Sequence, residues 1–287
     1  MKLLRTGFLL ILLSVLLVMV GGAIGGRNGL QIALALAVFM NGIAYFFSDK
    51  IALSSSHAQW VSREQVPRLY DVMGRLAAKA NLPMPKLYLI PEAAPNAFAT
   101  GRNPHHASVA VTQGLLELMN DDELEGVIAH ELSHVRNYDI LTSSVAATIA
   151  GAITYVAEMG KWGMIFGGYS RDDDERQGGG LLAILMIFLA PLAAMMLQLF
   201  LSRTREYSAD ETGARMVGQP YGLISALQKL GTYNQQIPTT AVSPSTSALC
   251  IVKPLFGGGA LSNWFSTHPP LKDRIAALQT MTVIPHR

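Results

Sequence analysis

The chain of 287 residues carries 22 basic and 20 acidic side chains, so 15% of it is charged, against roughly a quarter in ordinary soluble proteins. A net charge of +2 excludes the basic surplus of a nucleic-acid-binding domain, and a hydrophobic share of 50% excludes wholesale disorder and points to membrane segments. Cys250 is the single cysteine, so there is no internal disulfide and no thiolate zinc cluster.

The first uncharged run, Gly7 to Gly26, has twenty residues and is flanked by Lys2, Arg5 and Arg27. That matches the ~20 residues needed to cross a bilayer core. It exceeds the apolar region of a cleaved leader, and a second run, Leu30 to Phe47, follows at once, so the expectation is an anchoring hairpin. Leu141 to Ala157 is a weaker candidate; its Gly151 and Ala152 suit close helix approach, and it is expected to span. Leu181 to Leu201 is a strong one, with Pro191 tolerable where neighbouring helices satisfy the freed carbonyl. Arg171 to Arg176, leading into Gly178, Gly179 and Gly180, reads as a connector. Lys2, Arg5, Arg203 and Arg205 place both hydrophilic blocks in the cytoplasm by the positive-inside rule. Four spans with both ends inside is the simplest topology.

Between the second and third runs the pattern changes. Ser62 with Gln65 resembles a capping box for a helix reaching Ala80, its start delayed by Pro67. After Pro83 and Pro85, Leu87 to Ile90 reads as a strand. Ala97 to Thr100, a turn at Gly101 to Pro104 and Ala107 to Thr112 read as a hairpin, with Val109 and Val111 on one face. Asn120 and Glu123 form a second capping-box pattern, opening a helix from Asp121 to about Tyr138 whose Leu124, Val127, Ile128, Leu132 and Val135 recur at helical spacing.

That helix contains His130-Glu131-Leu132-Ser133-His134. Residues four apart lie one above the other on a helix, so His130 and His134 can direct two imidazoles at one metal ion. Glu131 projects beside the pair, placed to take a proton from the attacking water. The plain alternative is two solvated histidines on an amphipathic helix. No further His follows at the H-E-x-x-H-x-x-G-x-x-H spacing, so a third ligand must come from elsewhere. Glu206 is the best candidate, and Asp210, one turn later on the same face, is placed to hold the outer nitrogen of a ligating His. His57, His105 and His106 read as solvated, and Met195 and Met196 as packing.

The motifs H-E-L-S-H with Asn137 and Asp139, R-E-Y-S-A-D at 205–210, P-N-A-F-A-T-G at 95–101 and S-T-H-P-P-L-K-D-R at 266–274 occur in that order. Together they make the chain resemble, over nearly its whole length, the HtpX heat-shock membrane metalloproteases, bacterial relatives of the CAAX prenyl proteases. The resemblance implies a gluzincin with one Zn²⁺ per chain on His130, His134 and Glu206. Glu131 would be general base and then acid, with Asp210 behind the ligands. His268 and Arg274 match family groups expected to help hold the substrate carbonyl. Asn96, Ala97, Phe98, Ala99 and Thr100 resemble the edge strand on which such enzymes lay a substrate by main-chain hydrogen bonding.

The expected architecture is therefore an α-helical integral membrane protein with an α+β gluzincin-type zinc metalloprotease domain carrying a small β-sheet. Residues 1–48 would form the transmembrane hairpin, 49–140 the first part of the protease domain, 141–201 a second hydrophobic hairpin, and 202–287 the remainder with the third ligand. The resemblance also implies a multi-pass protein of the bacterial inner membrane, its site facing the cytoplasm close to the lipid bilayer. Its partners would be membrane proteins taken as substrates in quality control and the stress response, with no nucleic acid; homo-oligomers or association with other quality-control proteases stay open. Two rivals stand beside this: a CAAX-type prenyl protease, and a non-catalytic zinc-stabilised membrane scaffold.

Overall fold

The computed structural model describes residues 2–149, 203–233, 249–251 and 269–281. The expected span Leu181 to Leu201 with Met195 and Met196, the connector at 171–180, the end of Leu141 to Ala157, and His268 lie outside the described residues.

The two N-terminal apolar runs form α1 (Lys2–Ser55), which reverses at Gly26, where φ 55° and ψ −136° break the helix. These angles favour glycine, which lacks the Cβ that would clash. The two arms run antiparallel. Asn41 Nδ2 donates to Ser14 Oγ at 2.7 Å, and Gly21 lies against Gly29 and Ala33. Small residues and a side-chain hydrogen bond are the means by which helices associate where burial from water supplies no drive. Among the described residues one helix, Gly26–Ser55, is long and apolar enough by length and composition to cross a membrane. Ile32, Val38 and Phe39 on it are about two-thirds exposed.

The hydrophilic block starts with β1 (Gln59–Trp60), a strand too short to show in the sequence pattern. Helix α2 (Pro67–Lys79) begins at Pro67; the Ser62 amide does donate to Gln65, but proline sets the first helical turn. Strands β2 (Lys86–Ile90), β3 (Ala97–Gly101) and β4 (Ala107–Thr112) complete a sheet of order β1-β2-β4-β3. β3 and β4 are the expected antiparallel hairpin, with Ala97 opposite Val111 and Ala99 opposite Val109. β2 joins β4 in parallel, a pairing that no local signal announces. Every residue of β4 is buried, so the Ser108, Ala110, Thr112 face is covered as well as the valine face.

Thr112 ends β4 and caps the short helix α3 (Gln113–Leu118), its hydroxyl accepting from the Leu115 amide at 3.2 Å. Asn120 and Glu123 form the full capping box at the start of α4 (Asp121–Arg136). The helix stops two residues short of the expected Tyr138, where φ +58° is incompatible with continuation. A helical segment α5 (Asp139–Ile149) follows at once. Its described residues are mostly buried, and Ser144 Oγ lies 2.7 Å from Thr100 Oγ1 of β3. After it come α6 (Arg203–Val217), α7 (Tyr221–Tyr233) and α8 (Leu271–Gln279).

Helix α4 is the axis of the domain rather than an amphipathic flank. It packs against α6, α7, α2 and β3, and from Gly126 to Ser133 every residue is buried. On its far side Glu123 also takes Lys229 Nζ at 2.7 Å and Ser225 Oγ at 2.6 Å, fastening α7 to the start of α4. A second apolar cluster joins Ala52 and Leu53 at the end of α1 to Phe98, Ile90, Ala110 and Ala147. The last turns of the hydrophobic hairpin are thereby packed on the strand that edges the site.

Candidate active site

One turn of α4 presents His130 and His134 side by side, their Nε2 atoms 3.3 Å apart. Helix α6 brings Glu206 to both: Oε2 lies 3.7 Å from His130 Nε2 and Oε1 3.6 Å from His134 Nε2. Tetrahedral zinc with ligands at roughly 2.0–2.1 Å places its donors about 3.3 Å apart. One donor atom from each of the three residues lies within 4.8 Å of the other two, close enough for a single ion to collect them, and the donor set is the His₂Glu kind.

The orientation of His130 is fixed from behind. Its Nδ1 lies 2.8 Å from Asp210 Oδ1, one turn beyond Glu206 on α6. With the proton held there, Nε2 presents a lone pair to the metal position. Burial pulls the His130 pKa below its ordinary value against the pull of Asp210, favouring the neutral ring a ligand needs. His134 has a matching carboxylate: Asp139 Oδ2 lies 3.6 Å from its Nδ1. Burial works against its protonation, but Asp139, Glu206 and Glu131 together raise its pKa.

Asp139 belongs to the motif block of the sequence without a role assigned there. The signal was a carboxylate opening an apolar run, where a buried charge requires a partner.

Glu131 is 1% exposed, and its Oε2 has no hydrogen-bond partner among the described residues. Its carboxylate lies beside the backbone of Ala99 in β3, which favours the ionised form. Burial, reinforced by nearby Glu206, raises its pKa to about 7 against the opposing pull of His134 and Arg274. A carboxyl poised near neutrality suits a group that must take and return a proton.

Arg274, from α8, is completely buried. Its Nε and Nη2 grip Asp210 at 2.8 and 2.6 Å, Nη1 donates to the Ile251 carbonyl at 2.9 Å, and Nη1 lies 3.6 Å from Glu206 Oε2. It stands behind the ligands, where it holds Asp210 well below the ordinary carboxylate range in spite of burial. The structure thus brings together His130, Glu131, His134, Glu206, Asp210 and Arg274, with Asn96 to Thr100 along one side. His57, His105 and His106 are exposed and away from the cluster.

The site is lined by Ala99, Ile140, Ser143, Leu249, Cys250 and Ile251 besides the ligands and Glu131. Its cavity of about 20 Å³ has room for a single water.

Comparison with known proteins agrees with this geometry. Residues 63–282 match the model of peptidase family M48. The chain is 51% identical over 278 residues to a protease HtpX homolog of Syntrophobacter fumaroxidans, covering 96% of this chain and 98% of that one. It is 52% identical over 281 residues to one of Thermodesulfovibrio yellowstonii, covering 98% and 99%. A homolog from Pyrococcus abyssi is 49% identical over 280 residues, covering 97% and 96%. In fold it is similar to the crystal structure of S. mikatae Ste24p, with TM-score 0.55 at 18% identity, over 96% of this chain and 64% of that one. With its His-Glu-x-x-His helix, its third carboxylate and these matches, the chain belongs to peptidase family M48 and is a metalloprotease of the HtpX kind.

Proposed function

We propose that this protein is a membrane-bound zinc endopeptidase that cleaves cytosol-exposed segments of misfolded or damaged membrane proteins, with one Zn²⁺ held by His130, His134 and Glu206. The observation that carries this is the clustering of those three donors, within 4.8 Å of one another, with the Glu131 carboxylate buried beside them. When bound, the ion would polarise the scissile carbonyl and ease deprotonation of water. Glu131 takes the proton of the attacking water and returns it to the departing amine. Asp210 and Asp139 hold the two imidazoles in the required tautomer and orientation, and Arg274 keeps Asp210 ionised and in place. The backbone of Asn96 to Thr100 serves as the edge on which substrate is laid, and His268 is assigned to the substrate carbonyl on family resemblance alone.

A membrane-proximal site is supported by Ala52 and Leu53 of α1 sharing a cluster with Phe98 of β3. The apolar length of Gly26–Ser55 and its exposed Ile32, Val38 and Phe39 suit a lipid-facing helix. The proposed topology is multi-pass in the bacterial inner membrane, with residues 1–48 and 141–201 as hydrophobic hairpins and the protease parts, 49–140 and 202–287, facing the cytoplasm.

The test is cleavage of casein or a model membrane protein by detergent-purified protein, wild type against Glu131→Ala, with zinc measured on both. About one zinc on each and cleavage by the wild type alone is the expected result. Equal cleavage by both would remove Glu131 from the chemistry. Cleavage by neither, with zinc retained and inaccessible to chelator, would favour the scaffold reading.

A further inference from the structure

β3 is the edge strand of the sheet, yet all five of its residues are buried. Helix α4 covers one side, and the edge itself is occupied by a short segment of the same chain, Leu249-Cys250-Ile251. The Ile251 amide donates to the Ala97 carbonyl at 3.0 Å. On an antiparallel strand the residues whose main-chain groups point outward alternate, so Ala97 and Ala99 form the outward pair. The Ala97 carbonyl is taken by Ile251, and the Ala99 backbone lies beside the Glu131 carboxylate. On the other side the Ile251 carbonyl is held by Arg274 Nη1 at 2.9 Å. Leu249, Cys250 and Ile251 are all buried, and all line the cavity that contains the metal donors and Glu131.

The consequence is steric as well as chemical. Strand addition needs the outward carbonyls and amides of the edge, and the cavity left beside the segment, about 20 Å³, is the size of a water. Ile251 makes the two main-chain contacts expected of a substrate residue, an amide to the edge strand and a carbonyl to a cation beside the metal donors. From this geometry we propose that Leu249-Cys250-Ile251 is an internal occupant of the substrate's place on β3, so that the described state is a closed protease and substrate enters only by displacing this segment. The proposal rests on β3 being the substrate edge. Displacement releases Arg274 Nη1, and the donor that loses the Ile251 carbonyl becomes available to a substrate carbonyl. A cation behind the metal ligands in the closed state thereby becomes a substrate contact in the open one.

Cys250 makes the displacement measurable, because it is the single cysteine and is wholly buried in the closed state. The experiment uses full-length Glu131→Gln protein in detergent. N-ethylmaleimide labelling of Cys250 and hydrogen exchange of peptides covering 97–101 and 249–251 are followed with and without β-casein, an unfolded polypeptide free of cysteine. Casein binding is read separately by fluorescence anisotropy. The expected result is slow labelling alone and at least tenfold faster labelling with casein bound, with exchange faster at 249–251 and still slow at 97–101. Ile251→Pro in the same background, lacking the amide that holds the segment to Ala97, is expected to label fast without casein and to bind casein more tightly.

If casein binds and slows exchange at 97–101 while Cys250 stays protected, the segment is a fixed wall; the proposal falls and the edge-strand reading survives. If casein binds and changes neither peptide, or binds neither protein, the edge-strand reading itself falls and takes the proposal with it.

Discussion

Gly213 of α6 lies against the backbone that carries His130: a Cβ added there would stand 3.0 Å from the His130 amide nitrogen and 3.1 Å from the Ala129 carbonyl carbon. Both neighbours are main chain inside a buried helix and cannot step aside. Gly213 is two turns beyond Glu206 on the same face of α6, so its lack of a side chain sets how near the third donor comes to the two imidazoles. Gly213→Ala is expected to push α6 outward, destabilise the fold by about 1–3 kcal/mol and weaken zinc binding by roughly tenfold or more, since each 1.4 kcal/mol is a factor of ten. Competition against a chromophoric chelator measures the second effect. Unchanged zinc affinity would mean that helix spacing does not govern Glu206.

Asp210 is the hinge between His130 and Arg274, 2.8 Å from the first and 2.6 Å from the second. Asp210→Asn leaves the wholly buried guanidinium without its nearest counter-charge and the imidazole without its anchor. The expected losses are about 3–5 kcal/mol of stability and roughly 10–100-fold in zinc affinity, read by denaturant titration and by metal competition. The pH sign follows from a carboxyl held below its ordinary range: the stabilisation is present above that range and is lost as pH falls through the depressed value. Wild type should therefore lose stability more steeply than the variant in acid.

Glu131 has the opposite sign. Its pKa in the folded protein is about 7, above the ordinary 4.5, so folding of the metal-free protein favours the protonated carboxyl. That contribution is complete below the ordinary value and is lost as pH rises through about 7. Glu131→Gln cannot ionise. After chelation, variant and wild type should match near pH 4, and the variant should be the more stable at pH 8 by on the order of 3 kcal/mol. Thermal melts at the two pH values decide it; equal stability at pH 8 would show that the ionised carboxylate is held by other groups.

Asp139 stands to His134 as Asp210 does to His130, at the longer distance of 3.6 Å. Asp139→Asn should lower zinc affinity by about tenfold, the small end of the range for such outer partners, and less than Asp210→Asn does. A larger effect from Asp139 than from Asp210 in the same competition assay would reverse this ranking.

Features set by neighbouring residues could be read from the sequence. The Asn120–Glu123 capping box, the His130–His134 pair and the β3–β4 hairpin each depend on contacts a few residues apart, and each stands as the pattern predicts. Glu206 was reachable because a two-histidine site demands another donor. What escaped depends on distant encounters. The parallel β2–β4 pairing, the burial of α4 on all sides and the bond from Ile251 to Ala97 join segments that carry no mark of one another. Arg274 shows the limit most clearly. Its motif placed it at the site, but only the folded chain reveals that its charge is spent on Asp210 and on the Ile251 carbonyl.

The separation of Arg274 from His130 by 144 residues also bears on biogenesis. At roughly 5–20 residues per second, ribosomal synthesis of that stretch takes on the order of 7–30 s. Throughout that interval α4 can fold against α2 and β3, but the arginine that grips Asp210 behind His130 is not yet made. Until α8 is added, Asp210 stands at His130 without the guanidinium that grips it, so this buried clamp is completed only after all three metal donors have been made.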